Sequence, residues 1–245
     1  MEKTVGVKVA MRDFFKTPTI RGLMDAFGGQ EAEAAMRIPP APPAPHYPVT
    51  LPQKQLYVLE RMEGIGTTYQ IPYRLTFRGP LNSAHLAQAL QALVDRHEAL
   101  RTSFQVVDSE PVQVIAPAVR LKMRFEDADE ATLPAIEQRF VRPFNLGKAP
   151  LLRALLVRTA SDCHHLLLDV HHIICDGVSV GILLQELNAL LNEQPLPPPG
   201  AQFKDYAVWE RQFQDSPTVQ AQGAFWHDLF TDPQLPALPT DHPRK

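Results

Sequence analysis

The spacing of apolar residues predicts helices in some stretches of the chain and strands in others. Residues 84–96 place apolar side chains three and four positions apart, as on one face of a helix, and Ser83 is the predicted N-cap. Residues 69–78 alternate between apolar and polar, which is typical of a strand with one buried face. The helix stripe consists of Leu86, Leu90, Leu93 and Val94, and the strand stripe of Ile71, Tyr73, Leu75 and Phe77.

The same criteria assign most of the remaining chain. Further helices are predicted at residues 51–63, 133–140, 178–191, 203–213 and 220–230, and strands at 102–107, 112–115, 121–125, 151–157 and 164–170. The first two of these strands form a hairpin, and a tight connection makes the last two antiparallel neighbours. Trp209 and Trp226 are the predicted core anchors of the last two helices. Because hairpins alternate with strand–helix–strand units, the order predicts an α/β (α+β) sandwich built on a mixed sheet.

Composition narrows the class of protein. With 245 residues, 44% hydrophobic and 21% charged, the chain is typical of globular proteins. A net charge of -3 provides no electrostatic attraction to nucleic acid or an anionic membrane, so neither is an expected partner. Two cysteines cannot form a disulfide framework and suit a reducing compartment. There is no apolar run of about 18 residues and no signal peptide, and we therefore expect a cytoplasmic location.

Proline-rich stretches divide the chain into three parts. Residues 1–28 contain one short amphipathic helix, which cannot bury its own apolar face, so we interpret this part as the end of a larger neighbouring domain. Residues 29–46 are small and charged and then rich in proline and alanine, as in an extended linker. The main domain is predicted at residues 47–245.

The candidate chemistry lies at residues 164–179, where a strand is followed by a turn and a helix. Neighbouring side chains of a strand point to opposite faces, so His171 and His172 cannot share one role. His172 lies nearer the turn and is the candidate for contact with substrate, as a base or a hydrogen-bonding group. Asp176 is expected to be buried at the turn and to need a cation, which Arg96 or Arg101 would supply. Gly177 would allow the turn and leave room beside the imidazole.

Two other chemistries are possible by residue type. A zinc site could draw on His164, His165, Asp169, His171, His172 and Asp176. The alternation of a strand divides these residues between two faces, so no metal is predicted. Cys175 lies close to His172, but a nucleophile and a base this near along a turn seldom face each other. Packing is its predicted role.

Several motifs resemble those of condensation domains of nonribosomal peptide synthetases. Residues 171–177, HHIICDG, resemble the HHxxxDG motif of this family, and residues 96–104, RHEALRTSF, resemble its RHExLRTxF motif. Residues 51–59 resemble the opening motif, and residues 238–244 resemble the segment that connects the two lobes of the family fold. Residues 14–20 are similar to the last helix of a peptidyl carrier domain.

The resemblance implies a chloramphenicol-acetyltransferase-like fold, of which residues 47–245 would be the N-terminal lobe, ending at the crossover to a missing C-terminal lobe. The family is an acyltransferase that forms an amide bond between a donor acyl or peptidyl thioester and the amine of an acceptor aminoacyl thioester. His172 would be catalytic, and His171, Asp176, Gly177, Arg96 and Arg101 would support it, with Asp176 paired to Arg96. No cofactor would bind directly, because upstream donor and downstream acceptor carrier domains deliver phosphopantetheine arms.

Three functions fit these motifs. The first is condensation, of the subtype that joins two L-configured residues, with the isolated lobe expected to be inactive. The second is epimerisation of a tethered residue by a domain of the same superfamily, which product stereochemistry would distinguish. The third is a noncatalytic module that docks carrier domains.

Overall fold

The computed structural model describes residues 38–62 and 64–232, together with the single residues 19, 21 and 241. The predicted carrier-domain end at residues 1–28 therefore lies outside the described residues, apart from residues 19 and 21. So do residues 29–37 of the predicted linker and nearly all of the segment 238–244. The chain divides into two compact units, residues 1–38 and 39–245, and the second contains both sheets.

The strands and helices alternate along the second unit. The strands are β1 (Tyr47–Pro48), β2 (Gln70–Arg78), β3 (Thr102–Val107), β4 (Glu110–Ile115), β5 (Met123–Asp127), β6 (Leu152–Ala160) and β7 (Cys163–His171). The α-helices are α1 (Leu51–Leu59), α2 (Ser83–Arg96), α3 (Leu133–Phe140), α4 (Gly177–Leu191), α5 (Phe203–Gln214) and α6 (Pro217–Leu229). Short 3-10 helices span Glu98–Arg101 and Glu130–Thr132. Among the described residues, no helix is both long and apolar enough to cross a membrane.

The larger sheet has four strands in the order β2-β7-β6-β5. Its first two pairs are antiparallel and β5–β6 is parallel, so the sheet is mixed, as predicted. The strands β1, β4 and β3 form a separate antiparallel sheet of three. The predicted α/β sandwich is confirmed.

Helices bury apolar side chains on both faces of the four-stranded sheet, because alternate residues of β6 and β7 point to opposite sides. On one face, the predicted stripe of α2 is fully buried with Leu156, Leu166 and Val170 of the sheet and with Val180 and Leu187 of α4. On the other face, α3 buries Leu133, Ile136 and Phe140 against Leu155, Val157 and Leu167. The sheet is thus packed between helices on both of its faces.

Three sequence predictions need correction. The N-cap of α2 is Asn82, whose side chain accepts hydrogen bonds from the amides of Ala84 and His85, and not Ser83. The turn between the hairpin strands, predicted at residues 108–111, consists of Asp108 and Ser109 alone. Both have positive φ, because a two-residue hairpin turn with left-handed residues matches the strand twist. The third prediction to correct is that Trp209 and Trp226 both anchor the core.

Only one of the two tryptophans resembles a core anchor. Trp209 is half-buried and stacks on Phe213 at 5.0 Å between ring centroids. Trp226 is 55% exposed, beside exposed Phe225 of α6 and exposed Phe230 just after that helix. The prediction that Trp226 anchors the core is wrong. The helical period was correct, but a period identifies an apolar face and not what covers it.

Candidate functional site

The turn between β7 and α4 is fixed by hydrogen bonds at both ends. The amide of His172 donates to the carbonyl oxygen of Tyr69 at 2.8 Å, and the amide of His171 donates to that of Leu151 at 3.0 Å. At the other end, Asp176 is the N-cap of α4, and its carboxylate accepts from the amide and the hydroxyl of Ser179 at 2.7 and 2.6 Å. The backbone at residues 172–176 therefore has little freedom.

His171 is part of the scaffold. Its side chain is 0% exposed, its Nδ1 accepts a hydrogen bond from the amide of Ile173 at 3.1 Å, and its Nε2 lies 3.3 Å from Oε1 of Glu60. A nitrogen that accepts a hydrogen bond carries no proton, so the proton of a neutral ring lies on Nε2. Burial lowers the pKa of His171, although Glu60 acts in the opposite direction. The lowered pKa keeps the ring neutral.

His172, its neighbour, is exposed and lines a cavity of about 330 Å³. The helix α1 contributes Gln53 and Leu56 to the cavity wall, and α5 contributes Tyr206 and Glu210. The structure therefore has the predicted separation of the two histidines. The ring of His171 is enclosed, and that of His172 lies at an open space of small-molecule size.

Polar residues of this cavity that were not predicted from the sequence include Gln53, Tyr206 and Glu210. The side-chain amide of Gln53 donates to the carbonyl oxygen of Ile173 at 3.1 Å, which ties α1 to the turn beside His172. The hydroxyl of Tyr206 donates to Glu210 at 3.1 Å, one helical turn away on α5. Gln53 had a recognisable signal, because Thr50 three residues earlier completes a capping box with it. For Tyr206 and Glu210, the sequence offered only a helical i, i+4 spacing.

Asp176 corrects the sequence analysis in two respects. Its side chain is exposed and not buried, and it contacts Ser179, whose hydrogen bonds lower the pKa of the carboxyl. The predicted pairing with Arg96 is wrong, since Nε of Arg96 donates to both carboxylate oxygens of Glu186, at 3.0 and 3.1 Å. The unsatisfied amides at the start of α4 need an acceptor, and Asp176 occupies the position that provides one.

Gly177 has neither a positive φ nor a heavy atom within 4 Å of the place where a Cβ would stand. The turn itself therefore does not require glycine, contrary to the sequence interpretation. The space beside Gly177 is open. That a bound substrate uses this clearance beside the imidazole of His172 stays a prediction.

The residues of the second motif join helices to one another. Glu186 of α4 receives both Arg96 and His97, whose Nε2 lies 2.6 Å from its Oε2. Glu98 pairs with Lys204 of α5 at 2.6 Å. Arg101 donates to backbone carbonyl oxygens of Val94, Ala116 and Pro117, so it satisfies the end of α2, as a basic residue there is expected to do.

The geometry argues against a cysteine nucleophile at Cys175 and against a zinc site at His172. Cys175 is buried, and burial raises the pKa of its thiol to about 11, so it is a packing residue as predicted. The residues considered for zinc lie apart: Asp169 binds Arg153 at 2.7 Å and His171 faces Glu60. Within the described part of the chain, no group of three potential metal ligands includes His172.

Comparison with known proteins gives a consistent result. The family model of the condensation domain matches residues 44–245. Tyrocidine synthase 3 of Brevibacillus parabrevis is 39% identical over the whole chain, which spans 4% of that protein. The X-domain from teicoplanin biosynthesis superimposes with a TM-score of 0.72 at 28% identity, covering 85% of this chain and 48% of that one. The structure reported for condensation domain-mediated chain release from the enacyloxin polyketide synthase gives 0.68 at 31% identity, covering 80% and 39%.

The chain thus spans about half or less of these structures and a small part of its curated relative. The match begins just before β1 and includes every strand of both sheets as well as the turn that carries His172. The fold, the motifs and the relatives therefore agree, and the chain belongs to the condensation-domain family of nonribosomal peptide synthetases.

Proposed function

We propose that residues 47–245 are the N-terminal lobe of a condensation domain that joins two carrier-bound substrates through an amide bond. The observation that supports this most directly is the exposed ring of His172 at a cavity, beside the buried ring of His171. The cavity wall belongs to one lobe, and the coverage of about half of related structures supports a second lobe that completes it.

In the proposed reaction, the acceptor amine nitrogen attacks the carbonyl carbon of the donor thioester. A C–N bond forms, the C–S bond breaks, and the sulfur leaves as the thiol of the donor phosphopantetheine arm. His172 accepts a hydrogen bond from the attacking amine and so holds it in place, or takes its proton as the bond forms and passes it to the leaving sulfur. No group bound to this chain is needed, since each carrier domain delivers its own arm.

The scaffold makes His172 suitable for this role. Its backbone amide is bonded to Tyr69, and Gln53 holds the carbonyl of the next residue, so the ring is carried by a rigid turn. A rigid position lowers the entropy that must be lost when amine and thioester meet. On the motif resemblance, we also propose that the subtype joins L-configured residues. The proposed location of the synthetase is the cytoplasm.

The test is single-turnover condensation by the full synthetase, with donor and acceptor loaded on its own carrier domains. We expect His172→Ala to lower product formation by about 10²- to 10⁴-fold and His227→Ala, at an exposed histidine of α6, to leave it unchanged. Unchanged product in His172→Ala would remove His172 from the mechanism. A product of inverted configuration would identify an epimerase instead, and carrier binding without turnover in the wild type would identify a docking module.

A further inference from the structure

A second group of polar side chains lies at the other end of β7, away from His172. Glu130, in the 3-10 helix before α3, approaches Cys163 and His165 at the start of β7, and one ligand atom of each lies within 4.8 Å of the other two. We propose that these three residues bind one Zn²⁺ ion. The proposal is independent of the condensation activity.

The distances between the ligand atoms fit a tetrahedral ion. With Zn–S near 2.3 Å and Zn–N and Zn–O near 2.1 Å, the edges of a tetrahedron are about 3.6 Å for S···N and about 3.4 Å for N···O. Sγ of Cys163 lies 3.6 Å from Nε2 of His165, and Oε2 of Glu130 lies 3.2 Å from the same nitrogen. These two separations are close to the edges of one coordination tetrahedron, and the third, between the ligand atoms of Cys163 and Glu130, lies within 4.8 Å.

The sheet itself orients these ligands. Cys163 and His165 are two residues apart on β7, so both side chains point to the same face. His165 is 4% exposed and is paired in register with Thr76 of β2, whose hydroxyl lies 3.1 Å from Nδ1. A hydrogen bond from Nδ1 to this hydroxyl would leave the lone pair of Nε2 for the metal, which is the usual arrangement of a zinc-bound histidine.

Access and the fourth position are also available. The side chain of Glu130 is 70% exposed, so an ion can reach the group from solvent. The hydroxyl of Thr159 lies 3.2 Å from Nε2 of His165 and can support a water molecule as fourth ligand. On binding, the thiol of Cys163 releases its proton to solvent, and a thiolate, a neutral imidazole and a carboxylate then surround the ion.

The chemistry of this ligand set favours zinc over the hard cations, because Mg²⁺ and Ca²⁺ require oxygen ligands and would not bind a thiolate. Such an ion would join the β6–β7 hairpin to the segment before α3. Its expected consequence is greater stability of this end of the sheet, since a ligand that binds only the folded chain stabilises it.

The test uses Co²⁺ as a spectroscopic probe and Zn²⁺ as competitor, on the reduced 245-residue chain. We expect one equivalent of Co²⁺ to give tetrahedral d–d bands with a thiolate-to-cobalt charge-transfer band, and Zn²⁺ to remove both. Cys163→Ser should lose the charge-transfer band, and Glu130→Gln should weaken binding at least about tenfold. Thr76→Val, which removes the partner of Nδ1, should weaken it by about 10- to 100-fold.

The matched control is Asp129→Asn, which removes the neighbouring carboxylate and should bind Co²⁺ as the wild type does. Absence of the thiolate band in the wild type, or equal binding by Cys163→Ser, would overturn the proposal. If a variant fails to fold, the cobalt spectrum of the wild type still tests the proposal. Zn²⁺ should slow the reaction of Cys163 with a thiol reagent, and an unchanged rate would contradict the site.

Discussion

Two segments of this chain carry motif residues, and their side chains do different things. In residues 96–101, the three side chains Arg96, His97 and Glu98 contact charged partners on α4 or α5. In residues 171–176, His171 is bonded within the scaffold, whereas His172 and Asp176 both line a cavity and Asp176 also caps α4. A polar motif therefore has two possible meanings, and only the position of each side chain relative to open space separates them.

Asp169 extends the comparison, because it has the environment that the sequence analysis assigned to Asp176. It is fully buried and binds Arg153, which also stacks on Phe144. Burial raises the pKa of Asp169 to about 6 despite this arginine. The buried pair exists, but it joins neighbouring strands of the sheet and lies on the face opposite to α2 and α4.

The largest expected effect is on catalysis by His172. In the full synthetase, His172→Ala should lower the rate of condensation by about 10²- to 10⁴-fold. Because the side chain is exposed, the free energy of unfolding should change by less than about 0.5 kcal/mol. Single-turnover kinetics and urea unfolding of the same preparation would measure both. If the free energy of unfolding fell by as much as the activation free energy rose, His172 would be a scaffold residue like His171.

The largest expected effect on stability is at Arg153. Arg153→Met leaves the carboxylate of Asp169 buried without its partner, which should cost about 3–5 kcal/mol in urea unfolding at pH 8. A cost below about 1 kcal/mol would show that the pair is not buried in solution.

The pH dependence gives a second measurement of the same pair. The pKa of Asp169 in the folded chain, about 6, is above its ordinary value of 3.8, so folding takes up a proton between these pH values. The contribution of Asp169 to stability therefore falls as the pH rises from about 4 to about 6. The destabilisation by Arg153→Met should be smaller at pH 5 than at pH 8, and an equal cost at both would contradict the influence of Arg153 on the pKa of Asp169.

Loss of the ion pairs made by the second motif should lower the free energy of unfolding by an intermediate amount. Glu186→Gln removes the carboxylate that Arg96 and His97 share in a site where each side chain is largely buried. We expect a loss of about 2–3 kcal/mol, from hydrogen bonds to charged groups that are no longer matched. Glu193→Gln, at an exposed residue after α4, is the control and should change stability by less than about 0.5 kcal/mol.

The smallest effect is expected at Asp176, and it separates a cap from a buried ion pair. Asp176→Ala should cost about 1 kcal/mol, and Asp176→Asn only a few tenths, because asparagine also accepts the amide hydrogen bond. The lowered pKa of Asp176 means that its charge stabilises the fold above the ordinary pKa of 3.8, and that this is lost as the pH falls further. Acid titration of Asp176→Asn should lack this loss. A cost of several kcal/mol for Asn would restore the buried-pair interpretation.

Local periodicity was enough to locate most elements. The prediction of α3 at residues 133–140 agrees residue for residue, and β2 and α4 are placed within one residue at each end. The same alternation predicted that His171 and His172 would separate. These features depend on the geometry of a few consecutive residues, which the chain itself imposes.

The partners of charged side chains could not be predicted in this way. Arg96 binds Glu186, ninety residues later, and Glu130 approaches Cys163 and His165 from a different element. The exposure of Trp226 likewise depends on what packs against α6.

The sequence by itself thus determined most of the elements, the family motifs and the opposite orientation of two adjacent histidines. Only the tertiary structure decided that Asp176 caps a helix, that Arg96 joins α2 to α4, and that three potential metal ligands meet at the start of β7. The physical reason is that secondary structure follows from spacing along the chain, whereas the contacts between elements follow from how their buried faces pack.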